Sequence, residues 1–156
     1  MADEWALTCY CGLYCLDCIP SQTELYTTAA RLEELLTGLQ FDKYAELKAN
    51  QTYWSKANES FKHYPRFIEV LGAIRGLQCH STCREGGGYK GGTCQVRKCA
   101  RNKDLKGCWE CPEYKSCRLL EPLFKFHPNL LHHLDLIKTE GVENWSVKRK
   151  GHYYWQ

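Results

Sequence analysis

Long apolar runs are absent from this chain. The longest are a few residues, far short of the ~20 that a bilayer span needs, so no membrane helix is expected. The opening Met1-Ala2-Asp3-Glu4-Trp5 is acidic and has neither a basic n-region nor an apolar h-region. A secretory leader is therefore not expected, and a cytoplasmic location is. Low-complexity and collagen-like stretches are missing too, and 44% apolar with 25% charged residues suits a globular rather than a disordered chain. No internal repeat stands out, and strand signals are weak, which leaves helix and irregular loop as the expected elements. No Ser-His-Asp or Cys-His arrangement can be assembled from spacing, so no catalytic residue is assigned.

Cysteine, by contrast, is abundant, with eleven in 156 residues. Ten fall into two batteries: Cys11, Cys15 and Cys18, then Cys79, Cys83, Cys94, Cys99, Cys108, Cys111 and Cys117. In a reducing compartment such thiols stay free or bind metal, and an odd count fits poorly with full disulfide pairing. Cys15-Leu-Asp-Cys18 and Cys108-Trp-Glu-Cys111 are C-x2-C turns whose short loops close cheaply. With Cys99 and Cys117 flanking the second turn, the pattern indicates metal ligation. Closed shells of four thiolates suit zinc, most simply two ions. The Cys11-x3-Cys15-x2-Cys18 spacing also matches three-cysteine loops that hold a four-iron cluster with one open iron, so iron–sulfur stands as the alternative.

The formal charge of +3 counts every cysteine as neutral. Eight ligand thiolates with two Zn²⁺ would move it by four negative charges, to about −1. Basicity is thus a weak argument for a nucleic-acid partner.

Helical periodicity fills the space between the batteries. Ser21-Gln22-Thr23-Glu24, after Pro20, has the form of a capping box. Leu25, Ala29, Leu32 and Leu36 follow at helical spacing and Gly38 suits the C′ position, which predicts a helix over 22–37. Phe41, Tyr44 and Leu47 predict a shorter helix running into a polar loop, Ala49–Asn58. Pro65 suits a first helical position, with Phe67, Leu71 and Ile74 as the stripe and Gly76 as the stop. Between Cys79 and Cys117 apolar residues are sparse, and Gly86–Gly88, Gly91 and Gly92 disfavour regular structure. A short helix from Thr93 to about Asn102 would set Cys94 and Cys99 about 140° apart. Pro122 and Pro128 can each open a turn, Leu130, Leu134 and Ile137 line a face up to Gly141, and Val142, Trp145 and Val147 suggest one more turn. The expected fold is mainly α: one small helical domain over 1–156, with a helical core at about 20–76 and 119–147 and irregular, cysteine-rich, metal-organised loops at 9–18 and 79–117.

Other residues carry less. His80, inside the Cys79–Cys83 turn, could replace a thiol, whereas the adjacent His132 and His133 point about 100° apart and cannot face one target. The glycines lack the preceding strand and the Lys-Ser or Lys-Thr pair of a phosphate loop. They fit better as tight turns that offer amides to thiolates. Tyr53, Trp54, Tyr153, Tyr154 and Trp155 could stack bases, but packed aromatics are the default. The end Lys148-Arg149-Lys150-Gly151-His152-Tyr153-Tyr154-Trp155 interleaves charge with rings. It reads as a solvated terminus or an arm docked on the domain.

The run Cys11-Gly-Leu-Tyr-Cys15-x-x-Cys18 resembles the opening of a prokaryotic family of uncharacterised cysteine-rich proteins, domain-of-unknown-function family 3795. The likeness continues through Gly86-Gly87-Gly88, Cys94-Gln-Val-Arg-Lys-Cys99-Ala, Lys106-Gly107-Cys108-Trp-Glu-Cys111-Pro-Glu-Tyr, Cys117 and Gly141-Val142-Glu143-Asn144-Trp145. It implies a bacterial or archaeal origin and zinc binding, and supplies no reaction, substrate or catalytic residue. The family pattern has C-x-x-C where this chain has Cys79-x3-Cys83, and Cys9 is additional to it.

One partition takes Cys11, Cys15 and Cys18 with Cys83 or Cys79 as a first site. It leaves Cys99, Cys108, Cys111 and Cys117 as a second, with Cys94 competing for the place of Cys99. Cys9 then falls outside both shells, as an inert buried thiol or, less simply, a nucleophile. Closed shells argue for a binding or scaffolding module, presenting a surface to a protein or nucleic acid, over an enzyme. The alternative class is an iron–sulfur or thiol redox protein with chemistry of its own.

Overall fold

The computed structural model describes residues 3–50, 56–88 and 93–156, with the side chains of 56–58 excepted. Tyr53, Trp54, Gly91, Gly92 and part of the polar loop lie outside the described residues. Among those described the chain is mainly α, with no strand and seven helices: α1 Glu4–Leu7, α2 Thr23–Gly38, α3 Phe41–Ala49, α4 Tyr64–Gly76, α5 Gln95–Asn102, α6 Glu121–Phe124 and α7 Leu130–Glu140. Short 3-10 turns connect them. No helix among these residues is long and apolar enough to cross a membrane.

The chain divides into two compact units, Gln22–Gln78 and the combination of Met1–Ser21 with Cys79–Gln156. In the helical unit, α2, α3 and α4 pack pairwise. Its aromatic centre joins Phe41 to Tyr44, Phe61 and Tyr64, with Phe67 against Tyr64. Pro65 lies in the first turn of α4, as its fixed φ favours. Two helix ends differ from expectation. Ser21 belongs to a 3-10 turn, its N–H bonded to the Cys18 carbonyl, so the cysteine loop claims its backbone and Gln22 becomes the N-cap. Gly38 stays helical, and the left-handed residue is Gln40 at φ 49°, which reverses the chain immediately before Phe41 enters the aromatic centre.

The other unit holds all eleven cysteines and the larger core. Leu130, Leu134 and Ile137 of α7, the stripe read from the sequence, pack with Tyr14, Val96, Trp109, Tyr114, Leu120, Val142 and Trp145. Trp145 is 0% exposed, and its indole N–H donates to Thr8 Oγ1 at 2.9 Å. Tyr14 meets the Trp145 ring edge-on at 5.7 Å. The basic end is docked: Arg149 donates through Nε and Nη2 to the two carboxylate oxygens of Asp17, at 2.5 and 2.8 Å, and covers the Tyr14 ring. Tyr153 stacks on Trp155 and accepts the Ile19 N–H at 3.0 Å.

Two histidines of this core give a pH prediction. His133 and His152 are buried, and Nδ1 of each has no hydrogen-bond partner among the described residues. Burial, opposing the charged ring, pulls both down to about 4. The unfolded chain, with rings near pH 6.5, binds more protons between about pH 6.5 and 4. Stability from these rings is therefore complete above pH 6.5 and is lost as pH falls toward 4, up to about 3 kcal/mol per ring. NMR titration of the folded protein should find both imidazoles neutral at pH 5; resonances titrating near 6.5 would remove this source of acid lability.

Candidate metal centre

The first group of thiols is built by a turn. Cys9 N–H donates to the Leu13 carbonyl at 2.8 Å, Gly12 N–H to the Cys9 carbonyl at 3.0 Å, and Thr8 pairs with Tyr14 in an antiparallel bridge. Gly12 has φ 86°, and a Cβ there would lie 2.7 Å from Leu134 Cδ2, so only glycine makes this reversal flat against α7. The result sets Cys9 Sγ 3.6 Å from Cys15 Sγ. Cys83 arrives from the loop that follows Cys79, and the sulfurs of Cys9, Cys15 and Cys83 all lie within 4.8 Å of one another. Gly88 permits this approach, since a Cβ on it would be 2.5 Å from Cys83 Sγ.

Cys11 stands outside that close triplet, and its thiol interacts electrostatically with Cys9. The electrostatics divide the four sulfurs, lowering Cys11 and Cys15 and raising Cys9 and Cys83. Hydrogen bonds from the Cys83 and Cys9 thiols push Cys15 far down, and the bond from Cys9 lowers Cys11. Cys9 is driven well up by its bonds to Cys11, Cys15 and Cys83 and by burial, and Cys83 is raised chiefly by its bond to Cys15. A thiophilic cation bound by these sulfurs would displace their protons, since only thiolates ligate it.

Cys99, Cys108, Cys111 and Cys117 line a second feature, a cavity of about 280 Å³ walled also by Val96, Ala100, Tyr114 and Leu120. Cys99 comes from α5, and Cys108 and Cys111 bracket a 3-10 turn closed by the Cys111 N–H on the Cys108 carbonyl at 3.0 Å. Cys117 follows another 3-10 turn, Tyr114–Ser116. Burial first, then the like charges of Cys11, Cys117, Cys111 and Cys99, push the Cys108 thiol up to about 12. A thiolate at Cys108 would therefore need a compensating positive charge beside it.

The remaining candidates lie elsewhere. Cys94 caps α5 and lines a different cavity, of about 400 Å³, with Cys9, Cys11 and Cys83, on the side of the first group rather than with Cys99. Cys18 is raised by burial and receives the Tyr153 hydroxyl at 3.8 Å, and Cys79 donates its N–H to the Pro20 carbonyl at 2.7 Å. Neither belongs to the close triplet of sulfurs. His80 is exposed. Sequence reasoning set Cys9 aside; its signal was the glycine three residues on, which turns the chain so that Cys9 meets Cys15.

Comparison with known proteins adds one match. The family model described as Protein of unknown function (DUF3795) covers residues 7–122, which include every cysteine. No curated protein and no solved structure gives a match.

Proposed function

We propose that this chain, which belongs to the DUF3795 family of proteins of unknown function, is a zinc-stabilised binding module with two thiolate sites. Cys9, Cys11, Cys15 and Cys83 form the first site and Cys99, Cys108, Cys111 and Cys117 the second. The observation that carries the reading is the triplet of sulfurs within 4.8 Å. Tetrahedral zinc with Zn–S of about 2.3 Å sets its sulfurs about 3.8 Å apart, so the triplet needs little movement to close on an ion. The second set has the local spacing of a zinc knuckle and a shared cavity that the four sulfurs could close by rotating inward.

Bound zinc would supply cross-linking: it holds loops that carry too few apolar side chains to fold alone. The chain's own residues do the rest. Gly12 and Gly88 bring the sulfurs close, and the Cys108 N–H donates to the Tyr10 carbonyl at 2.7 Å, tying the two loops together. Four-thiolate shells leave no coordination position for a substrate, which favours surface presentation to a partner over catalysis.

Elemental analysis and native mass spectrometry test this. Wild-type protein should carry two zinc equivalents, and Cys9→Ser and Cys108→Ser should each lose a different one. A Cys9→Ser protein that keeps both would move the first site away from Cys9. Protein purified without oxygen that is brown, with absorption bleached by dithionite, would replace zinc by an iron–sulfur cluster.

A further inference from the structure

Cys83 reaches Cys9 and Cys15 from a loop that has almost no apolar anchorage of its own. Its backbone folds back tightly: the N–H groups of Glu85 and Gly87 both donate to the Thr82 carbonyl, at 3.1 and 2.8 Å. Gly86 and Gly88 take φ of 110° and 83°. Folding this way turns three carbonyls, those of Cys83, Gly86 and Gly87, toward one side, and a single guanidinium meets them all. Arg97 Nη1 donates to the Cys83 carbonyl at 2.6 Å and to that of Gly87 at 3.1 Å, and Nη2 reaches the Gly86 carbonyl at 3.5 Å. One planar fork with five N–H donors suits this task; an ammonium on a flexible stem does not.

Two further arginines fix the same loop from outside. Arg101, one turn on from Arg97 in α5, donates to the Arg84 carbonyl at 2.6 Å. Arg84 donates to the Thr8 carbonyl at 2.7 Å, the residue before Cys9, and lies over the Tyr10 ring at 4.5 Å. The loop carrying Cys83 is therefore held by α5 on one side and by the Cys9 turn on the other. Between Arg97 and Arg101 on the same helix lies Cys99, which lines the second cavity.

We propose that Arg97 is the positioning residue of the first thiol site, holding Cys83 in reach of Cys9 and Cys15, and that α5 thereby links the two thiol groups. The part concerning metal affinity rests on reading Cys9, Cys15 and Cys83 as ligands; the part concerning the placement of Cys83 does not. Arg97 acts through the backbone of the residue it holds, as partners behind a ligand commonly do, and such residues are worth 10–100-fold in metal affinity.

The decisive test uses whole protein stripped of metal and reduced, treated with dibromobimane, which bridges neighbouring thiols, and mapped by peptide mass spectrometry. Wild-type protein should give a bridge from Cys83 to Cys9 or Cys15, and Arg97→Gln should lose most of it. Arg97→Lys, which keeps the charge but not the fork, should fall between, and it decides the matter if the glutamine variant fails to fold. Arg31→Gln serves as the control, because Arg31 is exposed on α2 and pairs only with Glu34 one turn on. On the metal-loaded protein, competition against a chromophoric chelator should show one zinc equivalent weakened about 10–100-fold in Arg97→Gln and the other unchanged. A Cys83 bridge that is absent from the wild type, or equally frequent in Arg97→Gln, overturns the proposal whatever the metal content. A bridge that depends on Arg97 in a protein that binds no zinc upholds it and removes the metal reading instead.

Discussion

Stripping the metal with a strong chelator should cut amide protection across residues 79–117 and the Cys9–Cys18 turn by orders of magnitude, with the native arrangement still the majority state at low temperature, and lower the thermal midpoint of that unit by more than about 20 °C. The reason is the poverty of this segment in buried apolar surface. Of the buried core cluster it supplies only Val96, Trp109 and Tyr114. Most of its tertiary bonds run from guanidinium groups to backbone carbonyls, as with Arg84, Arg97 and Arg101. Each such bond contributes about 1 kcal/mol net, somewhat more for a charged donor. Structural zinc in small domains contributes about 10–16 kcal/mol in apparent terms, against a typical total stability of about 5–15 kcal/mol. The ion's contribution would thus match everything else the unit has. Hydrogen exchange before and after verified metal removal reads this directly; equal protection in both states would leave the thiols as bystanders to folding.

Trp145→Ala should cost about 3–5 kcal/mol in denaturant unfolding of the metal-loaded protein. The indole is fully buried against Tyr14 and His133, so truncation removes dispersion contacts on two sides and leaves a cavity in the core under α7. It also deprives Thr8 Oγ1, itself 0% exposed, of its donor. Trp145→Phe separates the two effects: most of the area returns and the loss should shrink to about 1–2 kcal/mol, the cost of one unmet buried polar group. Because Thr8 precedes Cys9, the alanine variant should also weaken zinc binding at the first site. A Trp145→Ala protein within 1 kcal/mol of wild type would show that the region relaxes freely around the loss, contrary to its close packing.

What could be read from the sequence was what is fixed within a few residues. Pro65 and Gly76 mark the limits of α4 because a proline suits a first turn and a glycine ends one locally. The face of α7 followed from spacing alone, and so did the grouping of Cys99, Cys108, Cys111 and Cys117, which line one cavity around two short turns. Features decided by distant residues left no such trace. The capping box at Ser21 failed because the preceding cysteine loop holds that backbone in a 3-10 turn. The meeting of Cys9 with Cys83 depends on a glycine turn, on a guanidinium fourteen positions from Cys83 and on the closure of Cys79 onto Pro20, which sets off Gln22–Gln78 as a separate packing unit. None of these has a spacing that a reader of the chain could test.

The clasp of Arg149 on Asp17 joins residues 132 positions apart. During synthesis, at roughly 5–20 residues per second, Asp17 must wait on the order of 10 s for that partner to be made. Throughout that interval Asp17 lacks its clasp, while Gln22–Gln78, continuous in the chain, has all its parts at hand. The order of birth at the ribosome is thus written into the topology: the helical unit can mature first, and the sulfur-rich one only once its last segment has been made.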